Sequence, residues 1–185
     1  QPIDNRLPSL EDGSSWPALL DNYYVLKIDK WLYLRKKPEL AASISFSSVL
    51  ERTCKIGKPV QLPLLSEPLC AEIDFSPTLL GKAASTFFKP PQLRISLTLR
   101  NGQKKSFRTL ACMMRSGFLL SPLVEDDGQF ASLFSDGVKN LGGQQVESFS
   151  IESDYAGGLF WNNEYNLKLK AYHKPGGSLP AAGRD

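Results

Sequence analysis

Leu93-Arg94-Ile95-Ser96-Leu97-Thr98-Leu99-Arg100 alternates apolar and polar side chains without interruption, and Asn101-Gly102 follows it directly. Alternation of period two is typical of a strand with one buried face, and Asn-Gly between two such runs predicts a β-hairpin. The return strand is expected to run through Phe107, Thr109 and Ala111. This hairpin predicts a mainly β fold.

The side chains also predict the register of this hairpin. A symmetric two-residue turn would set Ile95 opposite Arg108 and would place charge on the apolar face. A three-residue loop over 100–102 instead sets Ile95 opposite Phe107. Such a loop needs a left-handed residue at its third position, so we expect a positive φ at Gly102.

Similar short apolar runs recur along the rest of the chain. They predict strands within residues 23–34 (two strands about a turn), 43–49, 60–64, 69–75, 117–124, 146–151 and 165–172. A helix is the competing interpretation of 23–34, because its apolar residues also fit helical spacing. A helical turn is expected over 77–82 and a short helix, capped by Asp127, over 129–135. The pattern predicts a two-sheet antiparallel sandwich of the jelly-roll kind with one or two short helices.

The length of 185 residues fits one domain. Residues 1–20 are expected to form an irregular lead-in, 21–173 a single β-sandwich domain, and 174–185 a linker-like tail rich in Gly and Pro. The apolar run at residues 117–120 is far too short to span a membrane, and no other run in the sequence approaches the required length of about 20 residues. Because the first residue is not Met, we expect a processed protein or a fragment of a larger one.

The charges are nearly balanced, with 22 basic and 19 acidic residues and a net charge of +3. Such a balance is not typical of a nucleic-acid-binding protein, so no nucleic-acid partner is expected. Two small basic groups, at 35–37 and 100–108, are interpreted as solvated surface.

Three cysteines make an odd count. In an oxidising compartment Cys54 and Cys70 are the pair expected to form a disulfide, and the alternative is that all three thiols are reduced. Cys112 is expected to be a buried thiol in the return strand of the hairpin.

No catalytic signature stands out. The chain lacks a G-x-S-x-G motif, and its only histidine, His173, ends the last predicted strand. A glycosidase pair could be drawn from the acidic residues Asp126, Asp127, Glu147, Glu152, Asp154 and Glu164. A calcium site on loops at Asp126, Asp127 and Asp154 is an open alternative to plain turns, and no other cofactor is expected.

The segment 155–165, Tyr-Ala-Gly-Gly-Leu-Phe-Trp-Asn-Asn-Glu-Tyr, is the best candidate for ligand binding. Aromatic faces stack on sugar rings, and amide or carboxylate groups bind hydroxyls. The predicted ligand-binding residues are Tyr155, Phe160, Trp161, Asn162, Asn163 and Glu164. The alternative is that Phe160 and Trp161 pack into one end of the core.

Three further stretches carry a resemblance: Ser-Phe-Arg at 106–108, Ser-Gly-Phe-Leu-Leu-Ser-Pro-Leu-Val-Glu at 116–125 and Val-Glu-Ser-Phe-Ser-Ile at 146–151. Through them, residues 93–172 resemble the soluble C-terminal domains of some bacterial polytopic membrane proteins, which look like glycosyltransferases of the cell envelope. The resemblance implies a β-sandwich on the periplasmic or extracellular face of the envelope, attached to a parent membrane domain. It transfers no catalytic residue.

We therefore expect a non-catalytic accessory or carbohydrate-binding module that contacts a glycan or a lipid-linked saccharide. One alternative is a small carbohydrate-active hydrolase that uses paired carboxylates such as Asp154 and Glu164. Another is a protein-interaction domain that docks a partner through the edge strand at 60–64, although the prolines there disfavour strand addition.

Overall fold

A computed structural model describes residues 3–38, 45–87, 92–135, 141–153 and 157–173. Its strands are β1 Tyr23–Ile28, β2 Leu32–Lys36, β3 Ser45–Lys55, β4 Val60–Gln61, β5 Leu69–Pro77, β6 Leu93–Leu99, β7 Lys104–Thr109, β8 Phe118–Ser121, β9 Val146–Ser153 and β10 Trp161–His173. Its helices are α1 Trp16–Asn22, α2 Leu79–Phe87, α3 Ala111–Arg115, α4 Asp127–Ser132 and α5 Gly157–Phe160. Short 3-10 turns lie at Ile3–Asn5, Pro8–Leu10, Gly13–Ser15 and Gly142–Gln144.

Two four-stranded sheets form the body of the molecule. Their orders are β3-β10-β5-β8 and β4-β9-β6-β7, and the strands within each sheet pair antiparallel. Within the part of the chain that the structure describes, strands β1 and β2 pair only with each other, as a separate hairpin. The predicted mainly β sandwich is confirmed, whereas the finer jelly-roll assignment stays a prediction.

The core lies between the two sheets. Alternate residues of β5, β6 and β10 are buried in one apolar cluster, which includes Leu69, Ala71, Ile73, Phe75, Leu93, Ile95, Leu97, Leu99, Tyr165, Leu167 and Leu169. Each large apolar side chain removed from water stabilises the fold by about 1.5–3 kcal/mol before conformational entropy is subtracted. The period-two pattern therefore corresponds to the inner face of each sheet.

The predicted hairpin register is confirmed. Ile95 pairs with Phe107, and the Leu99 amide donates to the Gln103 carbonyl at 2.8 Å across a three-residue loop. Gly102, the last residue of that loop, has φ 84°.

The return strand is shorter than predicted. It ends at Thr109, and Ala111 begins α3, because the amides of Met113 and Met114 bond back to the Leu110 carbonyl. The helical turn buries Met114 and leaves Cys112 exposed, so the prediction of a buried Cys112 in a strand was wrong.

The described part of the expected lead-in is ordered and packs on the sandwich. Leu7 and Leu10 are buried in the core, and the Leu7 amide donates to the Arg108 carbonyl at 3.3 Å. Helix α1 is held by a buried hydrogen bond from the Tyr172 hydroxyl to the Asp21 carboxylate. A second apolar cluster under α1 contains Leu20, Leu119, Val124, Leu133, Leu141 and Tyr172.

The cap of α4 lies one residue before the predicted one. Asp126 has extended backbone angles, and its Oδ1 accepts from the Gln129 amide at 2.8 Å, so it is the N-cap. Asp127 is instead the first helical residue.

Replacing Gly102 tests the hairpin loop. Nothing lies within 4 Å of a Cβ built on Gly102, so the cost of Gly102→Ala comes from the positive φ alone. We expect a loss of about 1 kcal/mol in the free energy of unfolding, measured by urea denaturation. Gly142→Ala is the matched control, because its Cβ also meets open space and its φ is not positive. Equal stability of the two variants would contradict this account of the loop.

The Tyr172–Asp21 bond predicts alkaline sensitivity. Burial, and then the hydrogen bond to Asp21, raise the pKa of the Tyr172 phenol above its ordinary value of 10.0. The unfolded chain therefore loses this proton at a lower pH than the folded chain, so stability should fall as the pH rises above about 10.

In urea denaturation, Tyr172→Phe should lose about 1–3 kcal/mol at neutral pH, because the buried Asp21 carboxylate loses a donor. Its stability should then decline less steeply above about pH 10 than that of the unmodified protein. Tyr24→Phe, on the exposed hairpin, should leave the stability at neutral pH unchanged. Parallel pH profiles for Tyr172→Phe and the unmodified protein would contradict the assignment.

Candidate functional site

The predicted ligand-binding segment is divided by the fold. Strand β10 begins at Trp161, four residues earlier than predicted, and pairs Trp161 with Pro77. The Trp161 side chain is only 8 % exposed, and its ring lies 6.0 Å from that of Phe75 within the core. Phe160 is half-buried against the same core, and Tyr155 lies outside the described residues. Trp161 is therefore a core residue and is not available to stack on a sugar.

The polar half of that segment reaches the surface. Exposed Asn162, Asn163 and Glu164 line a cleft of about 490 Å³, which we term the amide cleft. Its other lining residues are Thr53, Asp74, Ser76, Tyr165 and Asn166. Asn166 lies between Thr53 and Asp74 in the sheet, and the Thr53 hydroxyl donates to its Oδ1 at 3.1 Å.

The aromatic ring in the amide cleft is not exposed. Tyr165 is 2 % exposed, and its hydroxyl lies against the thiol of its register partner Cys54. Burial raises the pKa of the Tyr165 phenol above its ordinary range, and the Cys54 thiol raises it further. The amide cleft therefore offers hydrogen-bonding groups without a ring on which a ligand could stack.

A second cleft combines rings with carboxylates. It has a volume of about 490 Å³ and lies between the N-terminal segment and α4; we term it the Trp16 cleft. Its lining residues are Arg6, Pro8, Glu11, Asp12, Trp16, Leu19, Val124, Glu125, Asp126, Asp127 and Phe130. The half-buried rings of Trp16 and Phe130 meet edge to face, with centroids 4.7 Å apart.

Three of the five carboxylates in the Trp16 cleft have partners in the fold. Arg6 Nη1 lies 3.3 Å from Glu11 Oε1, and Lys105 Nζ lies 3.2 Å from Glu125 Oε1. Asp126 caps α4.

The other two carboxylates of the cleft, on Asp12 and Asp127, are exposed. With five carboxylates against one guanidinium, the lining carries a formal charge of −4, which disfavours an anionic ligand.

The sequence contained a partial signal for the Trp16 cleft. Trp16-Pro17 begins a helix, a position where proline is favoured, and Asp126-Asp127 was singled out as a candidate metal site. Trp16 and the carboxylates of Asp126 and Asp127 are more than a hundred residues apart in the chain, so only the fold brings them together.

The predicted calcium site has no geometric support. In the ranges that the structure describes, no three His, Cys, Asp or Glu side chains are grouped to hold a metal ion. Asp154, the third predicted ligand, lies outside those ranges, and Asp126 is used as a helix cap.

The single histidine pairs with a serine. His173 Nε2 lies 2.8 Å from Ser47 Oγ across β10 and β3. A catalytic serine also needs an oxyanion hole and a substrate cleft. Neither Ser47 nor His173 lines the two clefts described above, so we interpret the pair as a contact between neighbouring strands.

The predicted disulfide is not formed. Cys54, Cys70 and Cys112 are free thiols, and β10 separates the strands that carry Cys54 and Cys70. Cys54 is paired with Tyr165 and Cys70 with Lys170, five positions away along β10. Two strand spacings already exceed the roughly 7 Å limit between the Cα atoms of a disulfide.

No protein-family model matches the chain, and comparison with curated proteins and with solved structures found no significant match. The described residues include no helix that is long and apolar enough to cross a membrane.

The thiols give a direct test of these placements. Burial, and then the Glu72 carboxylate, raise the pKa of the Cys70 thiol to about 12, while Cys112 is exposed. Iodoacetamide at about pH 8 should therefore label one thiol in the folded chain, and mass spectrometry should locate it at Cys112. Cys112→Ser should remove the label. In urea without reductant all three thiols should react, whereas a pair that resists labelling would indicate a disulfide.

Proposed function

We propose that this chain is a non-catalytic saccharide-binding module of a bacterial cell-envelope protein, and that the Trp16 cleft holds the sugar. One observation carries the proposal. Trp16 and Phe130 share a cleft of about 490 Å³ with five carboxylates, so a ring surface and hydrogen-bond acceptors meet at one concave site. This is the combination that saccharide binding requires.

The charge of the cleft narrows the ligand class. A lining of formal charge −4 repels sulfated, phosphorylated or uronic-acid sugars. Neutral sugars, or sugars bearing free amines, fit better because carboxylates accept hydrogen bonds from hydroxyl and ammonium groups. We propose a neutral or amino-bearing glycan, or the sugar portion of a lipid-linked saccharide.

The contacts of the carboxylates favour binding over hydrolysis. Glu11 and Glu125 are held in ion pairs with Arg6 and Lys105, whereas a general acid must be free to reach the substrate. The Asp126 carboxylate accepts a backbone hydrogen bond at the start of α4. These contacts support a module without catalysis of its own.

The envelope location belongs to the same proposal. It is supported by the resemblance of residues 93–172 to soluble domains of envelope membrane proteins, and it implies the periplasmic or extracellular face and a parent membrane domain. The interaction-domain alternative is less favoured, because β4 comprises only Val60–Gln61 and Pro63 follows it.

Calorimetric titration tests the proposal with oligomers of N-acetylglucosamine, glucosamine and galacturonic acid. The neutral or the cationic oligomer should bind and the anionic oligomer should not. Trp16→Ala should weaken binding about ten-fold through loss of the ring surface. Trp16 also packs against Phe130, so its replacement could disturb the fold. Asp127→Asn is therefore a second variant that should also weaken binding. It removes an exposed charge and leaves the packing unchanged.

Asn162→Ala is the matched control, because it lies in the amide cleft. If Asn162→Ala weakens binding while the two Trp16-cleft variants do not, the site assignment is wrong. Shortening of the oligomer during incubation would instead favour the hydrolase alternative. Failure of all three oligomers to bind would overturn the saccharide proposal.

A further inference from the structure

The β1–β2 hairpin exposes apolar side chains that the clefts do not use. From Leu26 to Trp31 every residue is exposed, including Leu26 at 52 %, Ile28 at 53 % and Trp31 at 63 %. Tyr24 and Tyr33 are also exposed, on the strands behind this tip. Several exposed apolar side chains on one element mark an interaction site more often than isolated apolar residues do.

The hairpin is held at its base. The Lys37 amide donates to the Asn22 carbonyl at 2.8 Å, and Lys37 Nζ donates to the Asp21 carbonyl at 2.7 Å. Strand β1 also contacts α1 and α4. The base is therefore fixed to the sandwich, while the tip at Lys27–Trp31 extends into solvent.

Basic charge is concentrated on this element. Residues 23–37 contain five basic residues and one acidic residue, a net +4, whereas the whole chain carries +3. The other 170 residues therefore carry a net −1. Lys27 is paired with Asp29 at 2.8 Å, and Lys30 Nζ lies 6.0 Å from the centre of the Trp31 ring.

Arg35 and Lys36 are exposed, and no described residue forms a side-chain hydrogen bond or an ion pair with either. Arg35 is the register partner of Tyr24, so tyrosine and arginine share one exposed face of the hairpin. A ring with a polar tip beside a cationic head is suited to the boundary between lipid headgroups and acyl chains.

We propose that this hairpin docks on an anionic phospholipid surface, with Leu26, Ile28 and Trp31 at acyl depth and the basic residues at the headgroups. The net +4 complements anionic lipid and disfavours self-association, because two such hairpins repel each other. The insertion is shallow, since a two-stranded hairpin has unpaired backbone edges that hydrocarbon does not solvate. This docking is independent of the saccharide site.

Vesicle co-sedimentation tests the proposal with the full chain. Vesicles of phosphatidylcholine containing about a third phosphatidylglycerol should bind the chain, and pure phosphatidylcholine should bind far less. Each basic residue contributes about five-fold, so Arg35→Ser with Lys36→Ser should weaken binding roughly 25-fold. High salt should weaken binding of the unmodified chain as well.

The apolar tip is tested separately. Trp31→Ala should weaken binding about ten-fold, since a large ring no longer leaves water. Trp31→Phe should retain most of the binding but should abolish the lipid-induced blue shift of tryptophan fluorescence, because Trp161 is buried and Trp16 is half-buried.

Matched controls lie elsewhere on the surface. Lys58→Ser removes an exposed lysine, and Leu159→Ser removes a leucine of similar exposure, at 61 %. Both variants should bind as the unmodified chain does, and near-UV circular dichroism should show that all variants are folded.

Three results would overturn the proposal. They are equal effects of the control and hairpin variants, equal binding to neutral and anionic vesicles, and no binding to either kind of vesicle. A stable dimer, detected by analytical ultracentrifugation, that dissociates on Trp31→Ala would overturn it as well, because a second copy would then cover the tip.

Discussion

The contact between the inner faces of the two sheets determines the rest of the molecule. Alternate residues of β5 and β10 face alternate residues of β6 and β9, and together they form one buried cluster. A shift of one residue in any of these strands would turn its apolar side chains to solvent. The register of these four strands is therefore set by burial, and the turns and helices that join them must fit between strand ends whose positions are already determined.

Strand β10 extends this constraint to both ends of the sandwich. It spans Trp161–His173 between β3 and β5. At its first residue it buries Trp161 beside Phe75, and near its last it directs Tyr172 to the Asp21 carboxylate of α1. Helix α1 carries Trp16, so a strand of the core determines the position of the Trp16 cleft.

The strands could be predicted from the sequence because their signal is local. Leu93 to Leu99 alternates within seven residues, and Gly102 is required by the loop that joins it to its partner. The predictions that were wrong concern residues whose environment depends on contacts with parts of the chain that are distant in sequence. Ala111–Arg115 continues an alternating run but forms a helix that packs against β5, and Trp161 is drawn into the core by its pairing with Pro77.

The candidate site could be predicted less well for the same reason. The sequence predicts a ring beside hydrogen-bonding groups within the single segment 155–165. In the folded chain Trp16 lines the same cleft as Asp126 and Asp127, which are more than a hundred residues away in the sequence. A short stretch of sequence can contain the residue types of such a site. Whether those residues lie together depends on contacts between parts of the chain that are more than a hundred residues apart.

The two proposed surfaces carry opposite charge and share the same supports. Helices α1 and α4 border the Trp16 cleft, with its formal charge of −4, and both also contact β1 of the hairpin, with its net +4. An acidic cleft beside an anionic surface is unfavourable unless cations lie between them, and the hairpin supplies those cations at the point of contact. A chain docked by the hairpin would therefore present basic side chains, and not the carboxylates of the cleft, to the anionic surface. A neutral sugar, unlike a polyanionic glycan, would be repelled neither by the carboxylates of the cleft nor by an anionic lipid surface.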